Sequence, residues 1–289
     1  MGELESKLDK IEQTKSRTSL GYAVTRLVNS EEQNRAWAMR KAGLGLMMNV
    51  RGAAKPLPFV EDTAVPPSRL PEYVRRFSSI VSDHGTSAGY YGHASVGCLH
   101  IRPLIDLKSD GGVDSMLSIS SAISDLVLEF GGAMSGEHGD GLVRSVWNQK
   151  MFGPVIYDAF TKVKDAFDPK GIMNPGKIVN STKINDNLKF SPSYKTRNLI
   201  TGFSYRNEGS FAEATEMCNG QGACRKVSSG TMCPSFMVTR DEEHSTRGRA
   251  NALNAGSFVP VLIYLSLIHI SEPKRPRLIS YAILCLKKK

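Results

Sequence analysis

The stretch SAGYYGHASVGCLHIRPLIDL, residues 87–107, constrains this chain more than any other segment. Aromatic and β-branched residues stand on both sides of a Ser-Val-Gly turn, a pattern that predicts two short antiparallel strands joined as a hairpin. A lone hairpin is marginal in water and needs an apolar cover. The flanking segments supply it. Upstream, SRLPEYVRRFSSIVSDHG (68–85) carries apolar residues at 70, 73, 74, 77, 80 and 81, a helical stripe with Gly85 as its C-cap. Downstream, GGVDSMLSISSAISDLVLEFGG (111–132) reads as a helix bracketed by glycines. The pattern predicts an α+β fold, an antiparallel sheet with packed helices, over residues 20–180.

Other segments extend it. EEQNRAWAMRKAG (31–43) predicts a short helix stopped by Gly43, and LPFVEDTAVP (57–66) a strand ended by Pro66-Pro67. MFGPVIYDAFTKVKDAF (151–167) predicts another helix, stopped by DPKGIMNPGK. Residues 181–210, polar and rich in Asn, Ser and Lys, read as a surface linker. Residues 211–255 read as a second, small and mostly helical domain, two helices around a cysteine loop.

Residues 1–19 are charged and lack the apolar core of a secretory signal, and read as an N-terminal remnant. No run of about 18 apolar residues occurs, so no transmembrane segment is expected. The net charge of +9 would suit a nucleic-acid binder, but more than half of it sits in residues 265–289, with six Lys/Arg against one Glu. That stretch, LSLIHISEP followed by ISYA and CLKKK, resembles the conceptual translation of a sequencing-library adapter. Residues 256–289, Cys285 included, are therefore expected to be an artefactual tail. No nucleic-acid partner is expected. The expected location is cytoplasmic, with peripheral association at an inner membrane left open.

The chemistry concentrates in two places. In the hairpin, GHASVGCLH sets His93 and His100 on either side of the turn, within reach of one ion. In the glycine-rich SGEHGDG (135–141), Glu137 can add an oxygen ligand. Two imidazoles and a carboxylate leave open positions on a divalent metal, zinc or manganese, which a 2-hydroxy acid could fill. His138 can then take the hydroxyl proton, its ordinary pKa lying near neutrality. No GxGxxG fingerprint for a dinucleotide is present.

Taken together, FVEDTAVP, YYGHASVGCLHIRP, GGAMSGEHGDG and MFGPVIYDAFTKVKDAFDPKGIMNPGKIV resemble the C-terminal substrate domain of the FAD-linked oxidases. These are the D-lactate, D-2-hydroxyglutarate and glycolate dehydrogenases of the vanillyl-alcohol-oxidase superfamily. The resemblance covers residues 20–180. It implies that His93, His100 and Glu137 are metal ligands and His138 the catalytic base. It also implies that Arg40, in WAMRKAG, binds a substrate carboxylate, and that the NPGK stretch, Asn174 to Lys177, lies near the flavin. Where many relatives carry Asn two residues beyond the second histidine, this chain has Arg102. Arg102 could bind a second substrate carboxylate bidentately, favouring a dicarboxylate, or pair with Asp106 or another neighbour. The flavin-binding domain of the family precedes this region, so the chain alone is expected to bind flavin poorly and to be inactive.

Cys218, Cys224 and Cys233, the last followed by Pro234, fall within 16 residues. Their odd number speaks against a disulfide set, and their spacing leaves iron–sulfur and zinc both open. EMCNGQGACRKVSSGTMCPSF and TRDEEHSTRGRANAL are similar to the iron–sulfur module of large bacterial FAD/[4Fe–4S] dehydrogenases. That resemblance implies a 4Fe–4S cluster with these three cysteines among its ligands, the usual fourth being expected further along the gene. The expected function is thus a fragment of a flavin-dependent D-2-hydroxy-acid dehydrogenase, passing electrons through the cluster to a quinone or carrier protein. A metal-dependent hydrolase built on His93, His100 and Glu137, and a non-catalytic electron-transfer module, are the alternatives.

Overall fold

The computed structural model describes residues 2–18, 22–186, 188–196, 199–228, 230 and 232–258. Residues 259–289, with the basic tail and Cys285, lie outside the described residues. The chain divides into two units, residues 1–46 and 47–289.

In the first unit, helix α1 (Gly2–Thr18) places Glu3 and Glu5 in its first turn and Lys15 and Arg17 in its last, complementing the helix dipole. Arg26 pairs with Asp9 and Glu12, each at 2.7 Å. Helix α2 (Ser30–Met48) runs five residues past the predicted stop at Gly43. Gly43 and Gly45 both lie inside it, and a helical glycine costs only about 1 kcal/mol. The last two residues of the helix, Met47 and Met48, already belong to the second unit: there Met47 packs against Gly89, where a Cβ would sit 2.2 Å from its sulfur, and Met48 meets Arg102 at 3.6 Å.

The second unit opens with two short strands, β1 (Lys55–Pro56) and β2 (Thr63–Ala64). Helix α3 (Leu70–Asp83) leads into β3 (Ala88–His93), a 3₁₀ turn at Ala94–Val96, and β4 (Cys98–Ile105). Helix α4 (Asp110–Glu129) follows, capped by Ser109, whose hydroxyl accepts from the Gly112 N–H at 3.0 Å. Strand β4 is the centre of the sheet. It pairs antiparallel with β3 along its length, with β2 near its start and with β1 near its end. The predicted hairpin, both covering helices and the α+β architecture all form.

The core lies between this sheet and the two helices. Tyr73, Phe77 and Val81 of α3 meet Met116, Ile119, Ile123 and Val127 of α4 over Leu99, Ile101 and Ile105. These α3 positions belong to the stripe read in the sequence; Leu70, Val74 and Ile80 pack at its margin. The Tyr73 hydroxyl donates to Thr63 Oγ1 at 2.8 Å, which satisfies the one polar atom this buried ring carries.

The strand predicted over 57–66 shrinks to Thr63–Ala64. Phe59 to Asp62 are buried, but Asp62 adopts φ +76°, a left-handed conformation no strand can hold. The functional site supplies the reason.

Beyond the sheet come α5 (Gly141–Arg144) and α6 (Asn148–Phe167), the latter kinked at Gly153 (φ +75°) before Pro154. Residues 181–210 contain no helix or strand among the described residues. Ile184, Leu188 and Phe190 nevertheless pack against the core. Among the described residues the cysteine segment forms three helices where two were predicted: α7 (Phe211–Glu216), α8 (Pro234–Thr239) and α9 (Thr246–Phe258). The additional short helix starts at the Cys233-Pro234 step, Pro being well suited to a first helical turn. Glu216 anchors this segment, taking an ion pair from Lys108 at 2.5 Å and a hydrogen bond from the Tyr194 hydroxyl at 3.0 Å.

Candidate functional site

The register of the hairpin sets the first two imidazoles. His93 stands opposite Cys98 and Tyr91 opposite His100, so the histidines are diagonal neighbours on one face. Their ring centroids lie 5.6 Å apart. Gly97 makes the turn possible: it sits at φ +73°, and a Cβ there would lie 1.8 Å from the Val65 carbonyl oxygen.

The SGEHGDG loop brings the other two groups. Asp62 holds it from beneath. Its backbone carbonyl accepts from Gly136 N–H at 2.7 Å. Its carboxylate accepts from His138 N–H at 2.8 Å, from Glu137 N–H at 3.1 Å and from Ser135 Oγ at 3.0 Å. The left-handed backbone at Asp62 thus aims a buried carboxylate at the loop. Burial alone would raise the Asp62 pKa, but the hydrogen bonds from His138 and Glu137, with Ser135 and Cys98 assisting, hold it below the ordinary aspartate range.

Glu137 Oε1 ends up 2.9 Å from His100 Nε2, 3.3 Å from His93 Nε2 and 3.3 Å from His138 Nε2. The three imidazoles read from the sequence therefore converge on one oxygen of the fourth residue, Glu137. His100 is buried, while His93, Glu137 and His138 are roughly half exposed, so the cluster opens to solvent on one side. The His100 and His138 rings stack, centroids 4.7 Å apart and planes 7° from parallel. Burial, reinforced by the neighbouring His138, keeps the His100 pKa below its ordinary value despite the surrounding carboxylates. A neutral imidazole is the form that binds a metal.

Sequence reasoning missed four residues here. Asp62 is one. Glu61 is buried and places Oε1 3.2 Å from His138 Nδ1. Arg144, also buried, donates to the Glu61 carbonyl at 2.6 Å and the Gly139 carbonyl at 2.5 Å, bracing both sides of the loop. Asn148 ties Asp140, at 3.1 Å, to the Ile178 carbonyl, at 3.0 Å. The Glu61-Asp62 pair inside an apolar run was the available signal, since buried acids need partners. Cys98 also touches the cluster, donating to Asp62 Oδ1 at 3.4 Å. Burial, then the Asp62, Glu137 and Glu61 carboxylates, push its thiol up to about 12, which suits a protonated core residue.

Arg102 pairs with Glu61 rather than with Asp106, and its Nε is buried without a hydrogen bond. Arg40 lies on α2, in the other unit. Asn174 sits at φ +47° and accepts from Lys177 Nζ at 3.2 Å. Both line a groove of about 720 Å³ with His138, Gly139, Phe160, Phe167 and Met173, so the NPGK stretch and the histidine loop share one wall.

Cys224 and Cys233 meet the start of α9. Cys233 Sγ accepts from Thr246 N–H at 3.0 Å and lies 2.6 Å from Thr246 Oγ1. Cys224 Sγ accepts from Arg247 N–H at 3.4 Å. All four described cysteines are free thiols.

The profile described as FAD linked oxidases, C-terminal domain, matches residues 2–178. The chain belongs to this family. Among curated proteins it is 38% identical over 234 residues to a D-2-hydroxyglutarate dehydrogenase of Haemophilus influenzae, covering 80% of this chain and 22% of that protein. It is 35% identical over 246 residues to the D-2-hydroxyglutarate dehydrogenase of Escherichia coli, 85% of this chain and 24% of that protein. A D-lactate dehydrogenase of Archaeoglobus fulgidus matches at 35% over 132 residues, 46% of this chain and 29% of that protein. The chain thus spans about a quarter or less of the length of these D-2-hydroxyglutarate dehydrogenases. A stretch of 246 residues within 289 necessarily includes Cys218, Cys224 and Cys233, so the second similarity extends over the cysteine segment. Among the described residues, no helix is long and apolar enough to cross a membrane.

Proposed function

We propose that this chain carries the substrate and metal site of an FAD-linked dehydrogenase of D-2-hydroxy acids, of the D-2-hydroxyglutarate or D-lactate type. The observation that carries the reading is one carboxylate oxygen, Glu137 Oε1, lying within 3.3 Å of three imidazole nitrogens. His93, His100 and Glu137 would hold a divalent metal, zinc or manganese, and the donor set suits either. Such an ion, when bound, supplies Lewis acidity toward the oxygens of the hydroxy acid.

The chain's own groups do the rest. His138 takes the proton of the substrate hydroxyl. Arg40 and Arg102 take substrate carboxylate; Arg102 would share its guanidinium with Glu61, and its presence favours a dicarboxylate such as D-2-hydroxyglutarate. Asn174 and Lys177, on the groove wall shared with His138, would lie against FAD, whose chemistry is acceptance of the hydride from the hydroxyl-bearing carbon. Cys218, Cys224 and Cys233 would ligate a 4Fe–4S cluster, which supplies one-electron transfer toward a quinone or carrier protein. The hydrogen bonds to Cys224 and Cys233 favour that assignment. The setting proposed is cytoplasmic, where free cysteines persist.

Manganese is the chosen probe, because its preference for carboxylate and imidazole keeps it off the cysteines. Electron paramagnetic resonance of the chain titrated with Mn²⁺ is expected to show one bound ion, whose spectrum changes on adding D-2-hydroxyglutarate. His93→Ala should abolish binding, and His138→Ala should retain it. Manganese binding unaffected by His93→Ala, or a spectrum indifferent to the hydroxy acid, would overturn the reading.

A further inference from the structure

Glu61 enters the mechanism above only as the partner of Arg102, yet it is one of the few buried carboxylates among the described residues. It lies on the non-helical run before β2, at the Nδ1 edge of His138. Its Oε1 stands 3.2 Å from His138 Nδ1 and its other oxygen meets the Arg102 guanidinium. The Glu61 backbone is fixed independently, since its carbonyl accepts from Arg144 at 2.6 Å.

We propose that Glu61 is a positioning residue for His138: it accepts the Nδ1 proton, fixes the tautomer that leaves Nε2 bare, and is itself held by Arg102. This rests on the reading of His138 as the base. With Glu137 committed to the proposed metal, the carboxylates left to the neutral imidazole, Glu61 at 3.2 Å and Asp62 at 3.8 Å, both face Nδ1 and can only accept, so the proton belongs on Nδ1 and the lone pair on Nε2. Nε2 is the nitrogen on the Glu137 side, at 3.3 Å, and so the one turned toward the converging donors. Were Nε2 to carry the proton, His138 could not abstract another. The stacked His100 ring, 4.7 Å away, limits rotation of the imidazole but cannot choose between its tautomers. A carboxylate on one nitrogen can.

Arg102 completes the arrangement. A carboxylate removed from water needs a counter-charge or a full set of hydrogen bonds. Glu61 Oε2 has no hydrogen bond, and the Arg102 charge serves instead. The pair is thus directed to the base, whatever Arg102 adds toward substrate.

The test reads tautomers directly, through long-range ¹H–¹⁵N correlations of histidine-labelled chain in excess zinc, at about pH 9, where ordinary imidazoles are neutral. The wild type should show His138 protonated at Nδ1 and bare at Nε2. Glu61→Ala strands a buried guanidinium and risks unfolding. The Glu61→Ala/Arg102→Met double variant removes both charges and should fold while His138 becomes a mixture of tautomers. Arg102→Met alone keeps the acceptor and should keep the Nδ1–H signature wherever it folds. His138 protonated at Nε2 in the wild type, or a Nδ1–H signature unchanged in the double variant, would overturn the proposal. Zinc that leaves the His93 and His100 signals unmoved would instead contradict the metal site, a separate outcome.

Discussion

The Asp62 carboxylate, fully buried, accepts a hydrogen bond from the backbone N–H of His138 at 2.8 Å. A residue 76 positions upstream therefore dictates where the imidazole stands. Asp62→Asn keeps the size but puts an N–H₂ where backbone N–H groups point. The expected cost is about 2–4 kcal/mol of stability, a buried charge-assisted network being lost. Urea unfolding of the two chains measures it; a loss under about 0.5 kcal/mol would show that the loop is held elsewhere.

The same carboxylate gives a pH signature. Its folded pKa lies below the ordinary aspartate value of about 3.9, so it binds its proton less readily when folded than when unfolded. Its contribution is complete above that ordinary value and is lost as pH falls through the lower, folded one. Acid unfolding followed by circular dichroism should therefore be steeper below about pH 4 in the wild type than in Asp62→Asn. Equal slopes would contradict the assignment.

Gly97 is the second pressure point. Alanine there combines an unfavourable left-handed φ of +73° with a Cβ driven into the Val65 carbonyl. The expected destabilisation exceeds about 2 kcal/mol, the sum of the backbone penalty and the displacement of a packed segment. Thermal melting checks it, and an unchanged midpoint would mean the turn adapts.

Arg144→Met should act on the proposed metal site without touching it. The guanidinium bridges the Glu61 and Gly139 carbonyls, and without it the loop bearing Glu137 loosens. An outlying support of this kind typically changes metal affinity by about 10–100-fold. Isothermal titration with Mn²⁺ at matched folded fraction tests it; full affinity in the variant would remove Arg144 from the account.

Anaerobic reconstitution with iron and sulfide addresses the cysteine segment. The wild type should develop the broad visible absorption of a cluster, and Cys224→Ala should lose most of it. Equal colour in both would show that these sulfurs do not ligate iron.

Much of this was legible in the chain. The α3 stripe, the hairpin turn and the glycine-bracketed α4 are short-range signals, and each formed where its periodicity put it. His93 and His100 were also legible, because a hairpin turn fixes which residues meet across it. What stayed hidden depends on contacts distant in sequence. FVEDTAVP reads as a strand in composition, and nothing local says that Asp62 will turn left-handed to serve a loop more than 70 residues away. The helix past Gly43 is set by Met47 and Met48 finding β3 and β4. The partner of Arg102 proved to be Glu61 on a neighbouring segment, not Asp106 four residues along its own.

The central claim is that His93, His100 and Glu137 share one cation. X-ray absorption at the zinc edge tests it most directly, on a chain with Cys218, Cys224 and Cys233 replaced by serine so that thiolates cannot compete. The account predicts one zinc with nitrogen and oxygen neighbours at about 2.0–2.1 Å, imidazole scattering from two histidines, and loss of the ion in His93→Ala. A sulfur neighbour at about 2.3 Å, which would place Cys98 on the metal, or zinc retained in His93→Ala, would contradict it.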